Sequence, residues 1–223
     1  MKPVRPTIVR GQKAAWDASS FGSASSEALR AHLERDRYGD FRLTGAIRPA
    51  FDLTIVPRAG YRVGRYSDDT TGNVLPTISV AASAEYLFDL FCDLVAEVGD
   101  EVAVVLESSH DPSVDGHVDL VRDEIENVIL RSILCDYEDL LLNDGYTGIA
   151  VLNPAGPTEV QLDEHKLIFV YAPDIAPYLA ILDSYGLPCD PGLRLISEGE
   201  HLHLSEGRYR EEFEQLRLRL GVE

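Results

Sequence analysis

The residues best placed for chemistry are His201 and His203, separated by Leu202 and flanked by Glu198, Glu200 and Glu206. On a strand, residues two apart project from one face about 7 Å apart, a separation from which two imidazoles reach a single metal ion. Leu202 and Leu204 then face the core. Leu193–Ser197 and His201–Leu204 read as a hairpin around Glu198-Gly199-Glu200. The competing reading of the histidine pair is a solvated face of that hairpin, with Arg194 and Ile196 opposite.

A second candidate is the segment Glu107–Asp119, whose donors include Glu107, His110, Asp111 and His117. It follows a buried apolar run, and the carboxyl end of a central strand is where ligand sites of α/β sheets gather. Its carboxylates and imidazoles suit a divalent cation. The competing reading places Asp115, Asp119 and Asp123 near a helix N-terminus, where the macrodipole favours acids. Ser108 or Ser109 with His110 and Asp111 does not make a triad, because triad members come from separate elements. No Gly-x-Gly-x-x-Gly, Gly-Lys-Ser/Thr, Gly-x-Ser-x-Gly, His-Glu-x-x-His or EF-hand pattern occurs.

The elements that must hold these residues follow from periodicity. Residues 1–24 mix Pro, Ser, Gly and charge without a repeat and read as an irregular basic arm; residues 25–223 read as one domain, with a candidate internal boundary near 67–73. Helices are predicted at Ser26–Tyr38, from Ser83, at Val118–Leu142, at Pro173–Tyr185 and at Glu206–Leu220. Strands are predicted at Phe41–Ile47, Phe51–Pro57, Tyr61–Tyr66, Val74–Val80, Glu101–Glu107, Thr147–Leu152, Thr158–Leu162 and Leu167–Tyr171. Leu106, Phe91 and Ile129 are the predicted core markers. Hairpin-linked strands that do not alternate strictly with helices give an α+β fold, a mixed but mostly antiparallel sheet packed against several helices.

Composition narrows the function classes. The 223 residues carry 20 Lys+Arg against 38 Asp+Glu, a formal charge of −18. Residues 1–66 carry +6 and the remainder −24. An acidic body of that density repels phosphate backbones and anionic membrane, which argues against nucleic-acid binding through it. No run approaches the ~18 apolar residues of a membrane span, and the first residues lack the apolar stretch of a signal peptide, so the chain reads as cytoplasmic. Cys92, Cys135 and Cys189 form no Cys-x-x-Cys pair and fit a reducing compartment.

The first functional expectation is a non-enzymatic protein that binds a protein partner, or a second copy, through its acidic surface, with no cofactor. Asp136, Glu138 and Asp139 stand out there, since the predicted long helix puts them in its last turns, where the dipole disfavours acids. The basic arm, through Trp16 and Arg10, is expected to lie against them. The alternative is a metal-dependent enzyme, a hydrolase, using a divalent metal at His201 and His203 or in the Glu107–Asp119 segment.

Overall fold

The computed structural model describes residues 7–9, 19–67, 74–110 and 118–223. Its strands are β1 (Thr7–Val9), β2 (Arg37–Tyr38), β3 (Phe41–Arg42), β4 (Ile47–Pro49), β5 (Gly60–Ser67), β6 (Val74–Ala81), β7 (Glu101–Ser108), β8 (Val118–Glu126), β9 (Thr147–Leu152), β10 (Glu159–Leu162), β11 (Ile168–Tyr171) and β12 (His201–His203). Its helices are α1 (Ser26–Glu34), α2 (Leu87–Ala96), α3 (Asn127–Cys135), α4 (Glu138–Asn143), α5 (Ala176–Ser184) and α6 (Tyr209–Leu220). Seven strands form one sheet in the order β5-β6-β11-β10-β9-β7-β8, every ladder antiparallel. A second antiparallel sheet runs β1-β12-β4, and β2 and β3 form a small ribbon. The fold is α+β.

Alternation along β7 shows how the core is built. Val102, Val104 and Leu106 point one way and are fully buried, while Ala103, Val105 and Glu107 point the other and are only partly covered. The buried set joins Ile78 and Val80, Ile149 and Val151, Val160, and Ile168 and Val170 in a layer covered by residues of α2 to α6. The opposite parity, Ala81 on β6 and Leu167 before β11, packs on Tyr38, Phe41, Ile47 and Leu193. A third cluster joins Phe21 to Leu202 and Leu204, so β12 has an apolar side of its own.

Several expectations need correction. The helix predicted over Val118–Leu142 is instead strand β8 followed by α3 and α4. Val121, Ile125, Val128 and Ile129 fit a helical stripe, but pairing of β8 with β7 overrides it, with a register shift between Val102 and Val104. Phe91 and Leu106 are buried as expected, whereas Ile129 is 49% exposed. Asp119 and Asp123 therefore lie exposed on an edge strand, not at a helix N-terminus, where charge discourages further strand pairing. Phe51–Pro57 and Leu193–Ser197 form no strands. Asp52 caps its own turn by accepting a hydrogen bond from the Thr54 N–H, and Ile196–Glu198 is a 3-10 turn. Leu106→Ala is expected to cost about 2–5 kcal/mol, whereas Ile129→Ala should stay within about 0.5 kcal/mol. Urea denaturation of the two variants checks the inversion.

The first 66 residues do not stand apart from the rest. β1 and β4 flank β12, near the other end of the chain. β5 and β6, on either side of residues 68–73, are the arms of one hairpin.

Candidate metal centre

β12 is the central strand of its sheet, so both of its backbone edges are occupied by β1 and β4. Leu202 points into the third apolar cluster, and period-two alternation sends His201 and His203 to the opposite face. That face is not solvated. Each histidine is 1% exposed, which overturns the hairpin-face reading. The covering comes from two places distant in sequence: the turn between β10 and β11, and the segment Asp144–Tyr146 that leads into β9.

The β10–β11 turn is built by Asp163. Its Oδ1 accepts from the backbone N–H groups of His165 and Leu167, both at 2.9 Å, while its Oδ2 accepts from His165 Nδ1 at 2.7 Å. One carboxylate thus fixes both the backbone and the imidazole of His165. Lys166 follows at φ 61°, a left-handed conformation that usually calls for glycine. Its buried ammonium donates to the Thr147 carbonyl at 2.7 Å, and burial pushes its pKa down to about 8.

The second support needs a glycine. Gly145 donates to Leu204 O at 2.8 Å, and Leu204 donates to Ala46 O at 2.7 Å. A Cβ at position 145 would stand 2.5 Å from the Ala46 carbonyl oxygen. Only a residue without a side chain lets the backbone come close enough for Gly145 O to accept from His203 Nδ1, at 2.6 Å.

These contacts fix the tautomers. His201 Nδ1 lies 2.8 Å from Gly199 O, and His203 Nδ1 lies 2.6 Å from Gly145 O. A carbonyl only accepts, so both Nδ1 atoms carry the proton. His165 Nδ1 faces the Asp163 carboxylate and is protonated for the same reason. Each neutral ring is left with a lone pair on Nε2. The Nε2 atoms of His201 and His203 are 3.1 Å apart, and ring centroids of the three imidazoles lie 4.8 to 5.0 Å from one another. One ring nitrogen from each falls within 4.8 Å of the others, the single such group of histidine, cysteine or carboxylate donors among the described residues.

Two lone pairs that face each other repel, and a cation between them would relieve that repulsion. A proton is disfavoured, because burial and the neighbouring His165 push His201 down to about 4 and His203 to about 3. His165 is the reverse: burial lowers its pKa, but the Asp163 hydrogen bond and charge outweigh burial and raise it overall. Tetrahedral zinc with Zn–N bonds of about 2.0–2.1 Å holds its ligand nitrogens about 3.3 Å apart, close to the 3.1 Å between His201 and His203, with a His165 nitrogen within 4.8 Å of both. A carboxylate or carbonyl on the far nitrogen of each imidazole is the usual outer support of a metal-bound histidine. Asp163→Asn is expected to weaken metal binding by about 10–100-fold, read by zinc titration against a competing chelator.

The other sequence candidates are placed differently. Glu107 Oε1 accepts from Gln161 Nε2 at 2.8 Å. His110 Nε2 lies 2.8 Å from Oδ2 of the buried Asp144, which also accepts from Thr147 Oγ1 at 2.5 Å. Burial raises the Asp144 pKa, but the His110 contact and the hydrogen bonds of Ser205 and Thr147 outweigh it and leave the carboxyl below its ordinary range. Asp111 and His117 lie outside the described residues, as do Trp16 and Arg10. Asp136 pairs with Arg219 of α6 at 2.7 Å and Asp139 with Arg208, the residue just before α6, at 2.6 Å. Glu138 and Asp139 sit in the first turn of α4, where the dipole favours acids, so their position is not the anomaly a single long helix would make it.

His165 is the residue that sequence reasoning missed. It lies in a four-residue link that reads only as a turn, and no fixed spacing ties that turn to β12. The one local signal is Asp163 two residues before it, an aspartate able to hold both the turn and the ring.

No protein-family model, no curated protein and no solved structure matches the chain. No helix among the described residues is long and apolar enough to cross a membrane.

Proposed function

We propose that the protein is a metal-dependent enzyme, a hydrolase, whose ion is held by His165, His201 and His203. The observation that carries this reading is the convergence of three imidazoles whose outer nitrogens are all committed to acceptors. Imidazole donors suit zinc, iron, copper and nickel, and the 3.1 Å nitrogen separation favours a small ion such as zinc. Three protein ligands leave a fourth position for water, the arrangement catalytic zinc sites use. Zinc held there would supply a water acidic enough to serve as a nucleophile near neutral pH. The chain's own part is to fix the three rings, with Asp163 making His165 a more basic ligand. This reading stands ahead of partner binding through the acidic surface, because Asp136 and Asp139 already pair with Arg219 and Arg208.

Elemental analysis of the purified full chain tests it. About one zinc, iron, copper or nickel per chain is expected, lost in His201→Ala and in His203→Ala. Hydrolysis of an activated ester is expected to disappear with the metal and return on its readdition. A protein that carries no metal, takes up none from excess zinc and keeps the same melting temperature would sink the proposal.

A further inference from the structure

Beside His165 opens a small cleft, open to solvent at its mouth. Its walls are apolar, with Phe41, Leu43, Ile47, Leu87 and Leu167 among them. Its charged lining is Arg42, Arg58, Arg194 and Lys166, and no aspartate or glutamate among the described residues lines it. That is the reverse of the chain, in which acids outnumber bases 38 to 20. Asp36 and Asp190 pair with Arg42 and Arg58 from outside the lining, so the excess positive charge facing the cleft rests on Arg194 and Lys166, and it favours anions there on an otherwise acidic molecule.

The cations differ in what remains for a ligand. The Lys166 ammonium is committed to Thr147 O. Arg42 gives its Nε to Asp36 at 2.9 Å, and Arg58 gives its Nη2 to Asp190. A guanidinium has five N–H donors, so these pairs hold the two side chains in place without exhausting them. Arg194 donates from Nη1 to Thr54 O at 3.3 Å and has no ion pair among the described residues. It commits one donor, as Arg42 and Arg58 do, but to a carbonyl and not to a carboxylate, so its charge is the one left for a ligand, in a planar fork that matches a carboxylate with two parallel hydrogen bonds.

We propose that this cleft binds a small organic carboxylate, its chain against the apolar walls and its carboxylate on Arg194, with Arg42 and Arg58 completing the cationic rim. Of the three histidines His165 alone lines the cleft; on the metal reading, on which this role rests, a carboxylate seated there is the substrate class and the His165 end is the reacting end. Binding itself follows from the cleft alone.

The test uses the full chain, chelator-treated and zinc-loaded in parallel, with butyrate and its neutral isostere butyramide as probes in ligand-observed NMR titrations. Butyrate is expected to bind at least tenfold more tightly than butyramide in both preparations. Arg194→Gln is expected to weaken butyrate at least fivefold, Arg58→Gln/Arg194→Gln further, and neither should change butyramide. Both side chains are exposed, so an unchanged melting temperature serves as the folding control. Equal affinities for the two probes, or butyrate binding indifferent to Arg194, would overturn the inference. Butyrate binding that requires zinc and ignores Arg194 would mean a ligand on the metal only, leaving the metal reading intact. Arg194-dependent binding in a protein that takes up no zinc would sustain the cleft and overturn the metal reading.

Discussion

Zinc added to chelator-treated protein is expected to raise the melting temperature by about 8–16 °C when free zinc is about 1,000-fold above its dissociation constant. A ligand bound only by the folded chain stabilises it by about 4 kcal/mol at that ratio. For a chain of 223 residues, each kcal/mol moves the midpoint by about 2–4 °C. The folded state has the preorganised donors: Nε2 of His201 and of His203 stand 3.1 Å apart, with His165 beside them. The unfolded chain keeps no such arrangement, since residues 165 and 201 are far apart in sequence. His201→Ala and His203→Ala are each expected to abolish the zinc-dependent rise. His165→Ala should leave a smaller one, because two imidazoles on β12 still face each other. Without zinc, His201→Ala and His203→Ala each remove one of the facing lone pairs but open a cavity and leave the Gly199 or Gly145 carbonyl without its donor, so the quantity compared is the zinc-dependent rise within each variant and not its absolute midpoint. A rise that persists in His201→Ala/His203→Ala would place the metal elsewhere, with the Glu107–Asp119 segment the next candidate.

Half of what makes that pair a site is legible in the sequence. A His-x-His step on a strand puts both rings on one face whatever surrounds it, and β12 keeps that geometry. Burial is not legible, because three glutamates beside the pair suggest solvent. Glu200 shows why that suggestion misleads: it is itself buried and accepts from the N–H and hydroxyl of Ser20, at 2.9 and 2.5 Å. A partner so far upstream leaves no trace in the local pattern. The same holds for β8, where the apolar residues suit a helical stripe and only pairing with β7 decides for a strand. The buried run of β7 is legible because eight residues with five apolar side chains are too short for a helix and too apolar for an edge. His165 needs the packing of two sheets to bring it to β12, and periodicity carries no information about that.

Metal-free protein should lose stability as pH falls from about 6.5 toward 4, a range in which most acidic proteins are held up by ionised carboxylates. The cause is the histidine pair. The ordinary imidazole value is 6.5, and the folded chain holds His201 at about 4 and His203 at about 3. Above 6.5 both rings are neutral folded and unfolded, so pH has no leverage through them. Below 6.5 the unfolded chain takes up protons that the folded chain refuses, and stability falls with each unit at about 1.4 kcal/mol per group. Near pH 4.5 the loss from the pair is on the order of 5 kcal/mol, a large part of the roughly 5–15 kcal/mol of a typical domain. His165 works the other way. Its folded value is raised above 6.5, so its gain comes as pH falls through that value and is nearly complete by 6.5, before the loss from the pair begins. Asp144, held below its ordinary 3.8, adds its own loss only under pH 4 and does not shape this window. Urea midpoints at half-unit steps from pH 7.5 to 4.5 measure the slope, and His201→Gln/His203→Gln should flatten it because glutamine takes up no proton. An acid slope unchanged in the double variant would mean that the pair is solvated or already protonated, and that the facing lone pairs are not there to receive a metal.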